Sequence, residues 1–346
     1  MTAARVMICD DSVAIRGAIG RMLESDPDVQ VVAKVANGQL AVDELKRTKT
    51  DVIVLDIEMP VMDGMTALPL LLRADPGVRV IMASTLTTRG ADIAMRAMRL
   101  GAADYLPKPS SIGSVGDSRF QLELLEKVKG LARFRQRPAR TTSVPVSRPA
   151  PLLAPRLLAI GSSTGGPQAL FTLVQGLGRQ IGVPVVLTQH MPATFTPILA
   201  DHIGRLGAMP CAEARDGEVL ANGRIYLAPG DRHLIVDGRA GSFRARLTTD
   251  PPENFCRPSV DPMLRSASLA CEGRVLIAML TGMGQDGLAG TRAVVDAGGC
   301  AIAQDEATSV VWGMPGAIAR AGLCHAVLPL PAIAGKVRDI LKVARA

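Results

Sequence analysis

The stretch Arg156–Leu170, "RLLAIGSSTGGPQAL", sets the reading of the C-terminal half. An apolar run ends in a glycine-flanked pair of serines, and Pro167 follows at a plausible first helical position, so the order is strand, sharp turn, helix start. Such a turn suits a nucleophile, a phosphate cradle or a plain tight bend. Gly161, Ser163 and Gly165 match G-x-S-x-G, in which the central hydroxyl is pushed out of the turn; the spacing selects Ser163 over Ser162. The Gly-Lys-Ser/Thr ending of a phosphate-binding loop is missing, as is the G-x-G-x-x-G spacing of a dinucleotide site.

A serine hydroxyl needs a base, and the chain has four histidines. His190 ends the next strand-like run, "VPVVLTQHMP", and consecutive parallel strands present their carboxyl ends on one edge. His202 falls in a helix-like segment, His233 follows a Pro-Gly turn and His325 lies in a late apolar segment. A third run of the same kind, "RVLIAMLTGMGQDG", brings Asp286 to that edge as an acid for the base, with Met283 and Gly284 offering backbone N–H groups.

Upstream, "RVMICD", "VQVVAKV", "DVIVLDI", "VRVIMAS" and "ADYLPKP" alternate with helix-like segments, which predicts a five-stranded parallel doubly wound sheet. Its last helix is marked by Phe120, Leu124, Val128 and Leu131 on one face; Pro69 strains the helix expected after Gly64. Asp10, Asp11, Asp56, Ser84, Thr85 and Lys108 all fall at strand ends. Three carboxylates gathered in that crevice call for a hard cation such as Mg²⁺, and a carboxylate so placed can attack a phosphoryl donor. One such aspartate alone would read as a helix cap.

At 346 residues, 48% hydrophobic and 3% aromatic, the chain has the length of two domains and enough apolar material for two cores. The formal charge of +7 is local, because no acidic residue occurs from Lys127 to Ala200. Residues 137–155 are rich in Pro, Ser, Thr and Ala and lack periodicity, so they read as a tether or a docking site for an acidic partner. The expected division is 1–128, a basic linker 129–155, and 156–346. Six scattered cysteines form no CxxC pair, which argues against a zinc site or disulfide framework. With no signal-peptide pattern and no apolar run of membrane-spanning length, the expected location is the cytoplasm, without membrane insertion.

The N-terminal motifs "CDDS", "VLDIEMPVMDG", "MAST" and "YLPKP" resemble the receiver domain of two-component response regulators. The resemblance implies phosphorylation of Asp56 by a histidine kinase, Mg²⁺ held by Asp10, Asp11 and Asp56, Ser84 and Lys108 as the switch pair, and Tyr105 as the aromatic that reorients. The later motifs "GSSTGG", "TQHMP", "YLAPGDRHL", "RPSVDPML", "LTGMGQDG" and "QDEATSVVWGMPGAIARAGL" resemble the chemotaxis-type protein-glutamate methylesterase family. That resemblance implies a C-terminal three-layer α/β domain with a mostly parallel sheet. It also implies Ser163 as nucleophile, His190 as base, Asp286 as orienting acid, and support from Thr164 and the Met283 N–H.

The implied activity is demethylation of glutamyl γ-methyl esters on chemoreceptors and deamidation of receptor glutamines, under control of the receiver. No cofactor is expected for the esterase step and no nucleic acid as partner. Trp312 and Gly316 depart from residues frequent in the family, Gln285 occupies a variable position beside the acid, and all three bear on substrate contacts near the cleft. Two other classes compete: a DNA-binding response regulator, favoured by the basic pI, and a non-catalytic receptor-binding scaffold.

Overall fold

The computed structural model describes residues 3–85, 87–108, 118–136, 153–179, 181–207, 209–239 and 242–343. The chain divides into two compact units, Met1–Pro138 and Ala139–Ala346.

In the first unit, β1 (Ala4–Cys9), β2 (Val29–Val35), β3 (Val52–Asp56), β4 (Arg79–Thr85) and β5 (Asp104–Lys108) form one sheet in the order β2-β1-β3-β4-β5. Every pairing is parallel. Strand β3 is buried along its whole length, as expected of a strand covered by helices on both faces. Helices α1 (Val13–Glu24) and α5 (Ser118–Gln136) touch each other, and α3 (Gly64–Ala74) touches both α2 (Gly38–Leu45) and α4 (Thr88–Arg99). Ser12, Asn37, Asp63 and Thr87 cap α1 to α4 by accepting backbone N–H bonds. Pro69 lies inside α3, which continues through it to Ala74.

Helix α5 extends to Gln136, so residues 129–136 are helical where the sequence reading began the linker. The cause is the apolar stripe: Leu131 and Ala132 stay buried beyond Leu124 and Val128 and hold the extra turns against the core. Most of the remaining linker expectation lies outside the described residues.

Among the described residues, the second unit is built on seven parallel strands in the order β14 (Ala326–Leu328), β13, β12, β6, β7, β9 (Ile225–Leu227) and β8 (Cys211–Glu213). Its centre is β12 (Val275–Met279), β6 (Leu157–Ser162) and β7 (Val185–Gln189), with β13 (Cys300–Gln304) beside β12, all four fully buried. Helices α6 (Gly166–Leu177), α7 (Thr196–Gly204) and α11 (Leu330–Val343) form one contacting group, and α8 (Val260–Ala270), α9 (Leu288–Asp296) and α10 (Met314–Arg320) another. An antiparallel hairpin, β10 (His233–Arg239) with β11 (Ser242–Thr248), packs on α8. Leu234, Val236, Phe243 and Ala245 of that hairpin join the apolar cluster formed by α8, α9 and the sheet. No cysteine is paired, and burial raises the thiols of Cys9, Cys271, Cys300 and Cys324 to about 12.

Candidate active site

Three neighbouring strands deliver the three candidate side chains. Ser163 follows β6, His190 follows β7, and Asp286 sits in the loop between β12 and α9. The strand ends are stitched together: the Ser163 N–H donates to the Thr281 carbonyl (3.1 Å) and the His190 N–H to the Ser162 carbonyl (3.2 Å). Ser162 and Ser163 have separate fates. Ser162 is fully buried and its hydroxyl donates to Gln189 Oε1 at 2.7 Å, whereas Ser163 is half-buried. The Gln189 amide in turn donates to the carbonyls of Ser163 (2.9 Å) and His190 (3.2 Å). This packing requires glycine at 166, where a Cβ would lie 1.9 Å from Gln189 Oε1.

His190 Nε2 and Asp286 Oδ2 are 2.7 Å apart. The carboxylate is unusually well held. Oδ1 accepts from the Ser259 hydroxyl (2.7 Å), Asn254 Nδ2 (3.0 Å), and the backbone N–H groups of Asp261 (3.1 Å) and Gly287 (2.9 Å); Oδ2 also accepts from the Val260 N–H at 2.6 Å. Val260 and Asp261 open α8, so Asp286 sits as an anion on a helix N-terminus. Burial opposes ionisation of Asp286, but the His190 hydrogen bond and charge outweigh it, with help from Val260 and Ser259, and lower it to about 2. Burial likewise opposes protonation of His190, yet the Asp286 and Cys256 contacts raise it to about 10. The resting pair is therefore imidazolium and carboxylate.

The other ring nitrogen, Nδ1, lies 3.4 Å from Cys256 Sγ. Among the described residues, no hydrogen bond joins Ser163 to His190. Thr164 and Met283 are brought together, the threonine hydroxyl lying 3.9 Å from the methionine sulfur, and the Thr281 hydroxyl donates to the Thr164 carbonyl at 3.0 Å. Neither His202 nor His233 is hydrogen-bonded to Asp286. His202 stacks on Phe171, and His233 is buried, donating from Nε2 to the Pro251 carbonyl while Nδ1 accepts from the Ser259 N–H.

Cys256, Asn254, Ser259 and Asp261 were missed as site residues by sequence reasoning. Their signal was the segment "NFCRPSVDPML", whose serine precedes a helix; that it caps nothing locally and turns to Asp286 is visible only in three dimensions. Trp312 donates to the Gln304 carbonyl and lies under the Arg320 guanidinium. Gly316 makes room for this pair, since a Cβ there would lie 3.0 Å from the indole ring and 2.8 Å from Arg320 Nη1. The two departures are thus coupled. Nothing in the structure explains Gln285.

In the first unit, Asp10 and Asp56 are buried and Asp11 is exposed, with carboxylate oxygens of all three within 4.8 Å of one another. Lys108 Nζ lies between them, 2.7 Å from Asp10 Oδ2 and 2.7 Å from Asp56 Oδ1. Burial raises Asp56 despite Lys108, and the same two aspartates raise Lys108 against its own burial. An all-oxygen set with one exposed carboxylate fits a hard divalent cation that keeps part of its water shell. Ser84 is buried on β4, and Tyr105 is buried on β5 with Lys127 Nζ 5.0 Å above its ring.

Residues 158–337 match the family described as CheB methylesterase, and residues 6–116 match the response regulator receiver domain. The chain is 54% identical to a protein-glutamate methylesterase/protein-glutamine glutaminase of Paramagnetospirillum magneticum, covering 95% of this chain and 94% of the relative. It is 55% identical to the enzyme of that name from Azospirillum brasilense, over 96% of this chain and 92% of the relative. The crystal structure of the Thermotoga maritima CheB methylesterase catalytic domain aligns with a TM-score of 0.52 at 36% identity, covering 55% of this chain and 100% of that one.

Proposed function

The chain belongs to the CheB methylesterase family, with a response regulator receiver domain ahead of the catalytic unit, and from this premise we propose how its residues work. It is a serine hydrolase that demethylates protein glutamyl γ-methyl esters and deamidates glutamines under phosphorylation control. The substrates are chemoreceptor cytoplasmic segments, the phosphodonor is a histidine kinase, and the compartment is the cytoplasm. No helix among the described residues is long and apolar enough to cross a membrane. The functional division we assign is a receiver that runs to the end of α5 at Gln136, a linker 137–155 and a catalytic domain 156–346.

The observation that carries the chemistry is the 2.7 Å contact of His190 with a carboxylate that helix α8 and Ser259 hold ionised. Asp286 engages Nε2, so Nδ1 of the neutral imidazole is the nitrogen that takes the Ser163 proton. The serine oxygen bonds to the γ-carbonyl carbon and the carbonyl oxygen becomes an oxyanion, stabilised by the Met283 N–H with Thr164 in support. As the carbon–methoxy bond breaks, the imidazolium returns its proton and methanol leaves. Water, deprotonated by the same imidazole, then releases the glutamate and restores Ser163. With a glutamine side chain the leaving group is ammonia.

In the receiver, Asp56 is the phosphoacceptor, Asp10, Asp11 and Asp56 would hold Mg²⁺, and Ser84, Tyr105 and Lys108 form the switch. The cation, when bound, offsets the negative charge gathered among carboxylates and phosphoryl oxygens. Lys108 leaves its present pairing to bind the new phosphoryl oxygens.

Methanol release from methylated receptor membranes tests this reading. Ser163→Ala should fall to background, and Asp56→Ala should retain basal release but lose its response to a phosphodonor. Undiminished release by Ser163→Ala would overturn the assignment of the nucleophile.

A further inference from the structure

Residues 253–256 form a tight two-residue turn against the site. Glu253 and Cys256 exchange both backbone hydrogen bonds (3.1 and 3.0 Å), and the two central residues, Asn254 and Phe255, have φ of 52° and 62°. Two successive left-handed residues define a type I′ turn, whose first central position suits Asn and whose second suits Gly. Phe occupies that second position and is 96% exposed. A bulky residue there carries steric strain and gains nothing from burial.

The turn is also firmly held. Arg265 forks onto the Glu253 carboxylate at 2.6 Å through both nitrogens, and Arg257 Nη1 donates to the carbonyls of Thr249 and Asp250. His233 ties Pro251 to Ser259 across the base of the loop. Both neighbours of Phe255 reach the acid–base pair: Asn254 Nδ2 donates to Asp286 Oδ1 (3.0 Å) and Asp261 Oδ2 (2.9 Å), and Cys256 Sγ meets His190 Nδ1. A protein segment whose ester reaches Nδ1 must lie alongside this turn.

We propose that Phe255 is a specificity-determining residue, an aromatic finger that packs on an apolar side chain flanking the modified glutamate of the substrate segment. The proposal rests on the methylesterase reading above. A single aromatic carried on a turn whose neighbouring residues touch His190 and Asp286 selects the sequence around the ester while leaving the chemistry to His190 and Ser163.

The test compares the full-length protein, activated by a small phosphodonor, with Phe255→Gly, Phe255→Ala and Phe255→Leu. Methanol release from methylated receptor membranes and hydrolysis of p-nitrophenyl acetate, an ester with no flanking segment, are both measured. For Gly and Ala, KM for receptor should rise about tenfold with kcat within about twofold, so that the receptor-to-small-ester ratio of kcat/KM falls about tenfold. Leu should recover most of that loss. Phe255→Gly should also raise the thermal midpoint by about 2–4 °C, because Gly relieves the turn; this separates lost contact from lost folding. An unchanged receptor KM in Phe255→Gly or Phe255→Ala would overturn the proposal alone. A wild-type protein that releases no methanol would overturn the functional reading and this inference with it.

Discussion

In the proposed mechanism, the charge state of His190 governs when this site can act. Its contact with Asp286 raises it to about 10, so the neutral ring that can accept a proton is a minor form near neutrality. Because kcat/KM reports the free enzyme, methanol release per unit of enzyme should climb with pH from neutrality toward about 10. Asp286→Asn should move that limb to lower pH and cut the maximal rate by about 10²–10⁴-fold; an unmoved limb in a pH–rate series would contradict the pairing. The same carboxylate links stability to acid. Asp286 falls from 3.8 to about 2 on folding, so its stabilisation is present above 3.8 and is lost as pH falls through about 2. Urea unfolding should therefore show a gap between wild type and Asp286→Asn at pH 5 that closes near pH 2. Of these facts, the types Ser, His and Asp were readable from strand-end spacing. The ring nitrogen facing the acid, and the thiol on the other one, were not, since both depend on a loop that arrives from residues 249–259.

At the level of elements, the junction of β6, β7 and α6 is where local sequence and packing meet. Gly166 stands in the first turn of α6, where Ala would ordinarily favour the helix by about 1 kcal/mol. Here the Cβ would displace the Gln189 amide from Ser162, Ser163 and His190. Gly166→Ala should thus destabilise the protein by about 2–3 kcal/mol, the scale of buried hydrogen bonds left unmade. Adding Gln189→Ala should return part of that loss, which a double-mutant cycle by denaturant titration will read as a coupling of opposite sign. Strand identity in this region was legible because buried parallel strands are continuous apolar runs. The apolar stripe of Phe120, Leu124, Val128 and Leu131 marks helix α5 in the sequence, while its continuation to Gln136 is visible only in the fold, where Leu131 and Ala132 are buried.

Across the whole molecule, the receiver unit holds the carboxylate cluster of Asp10, Asp11 and Asp56, the esterase unit holds the paired His190 and Asp286, and one basic segment joins them. If the receiver restrains the esterase, removing residues 1–150 should raise methanol release in the absence of phosphodonor several-fold, and a fall to background in the same assay would contradict restraint. The DNA-binding alternative required a helix-turn-helix after residue 156; that region instead builds a seven-stranded parallel sheet, and its family match is to an esterase. What the order of residues determined unaided was the alternation of apolar runs and helices, the two-unit plan, and the strand ends bearing Ser163, His190 and Asp286. These follow from local rules, because burial of a parallel strand and the geometry of its carboxyl end depend on nearby residues alone. Only the tertiary structure decided that β12 pairs with β6, that Asp286 rests on the N-terminus of α8, and that the turn at 253–256 touches His190. Those are contacts between segments dozens of residues apart, and packing of the folded chain creates them where no local pattern could announce them.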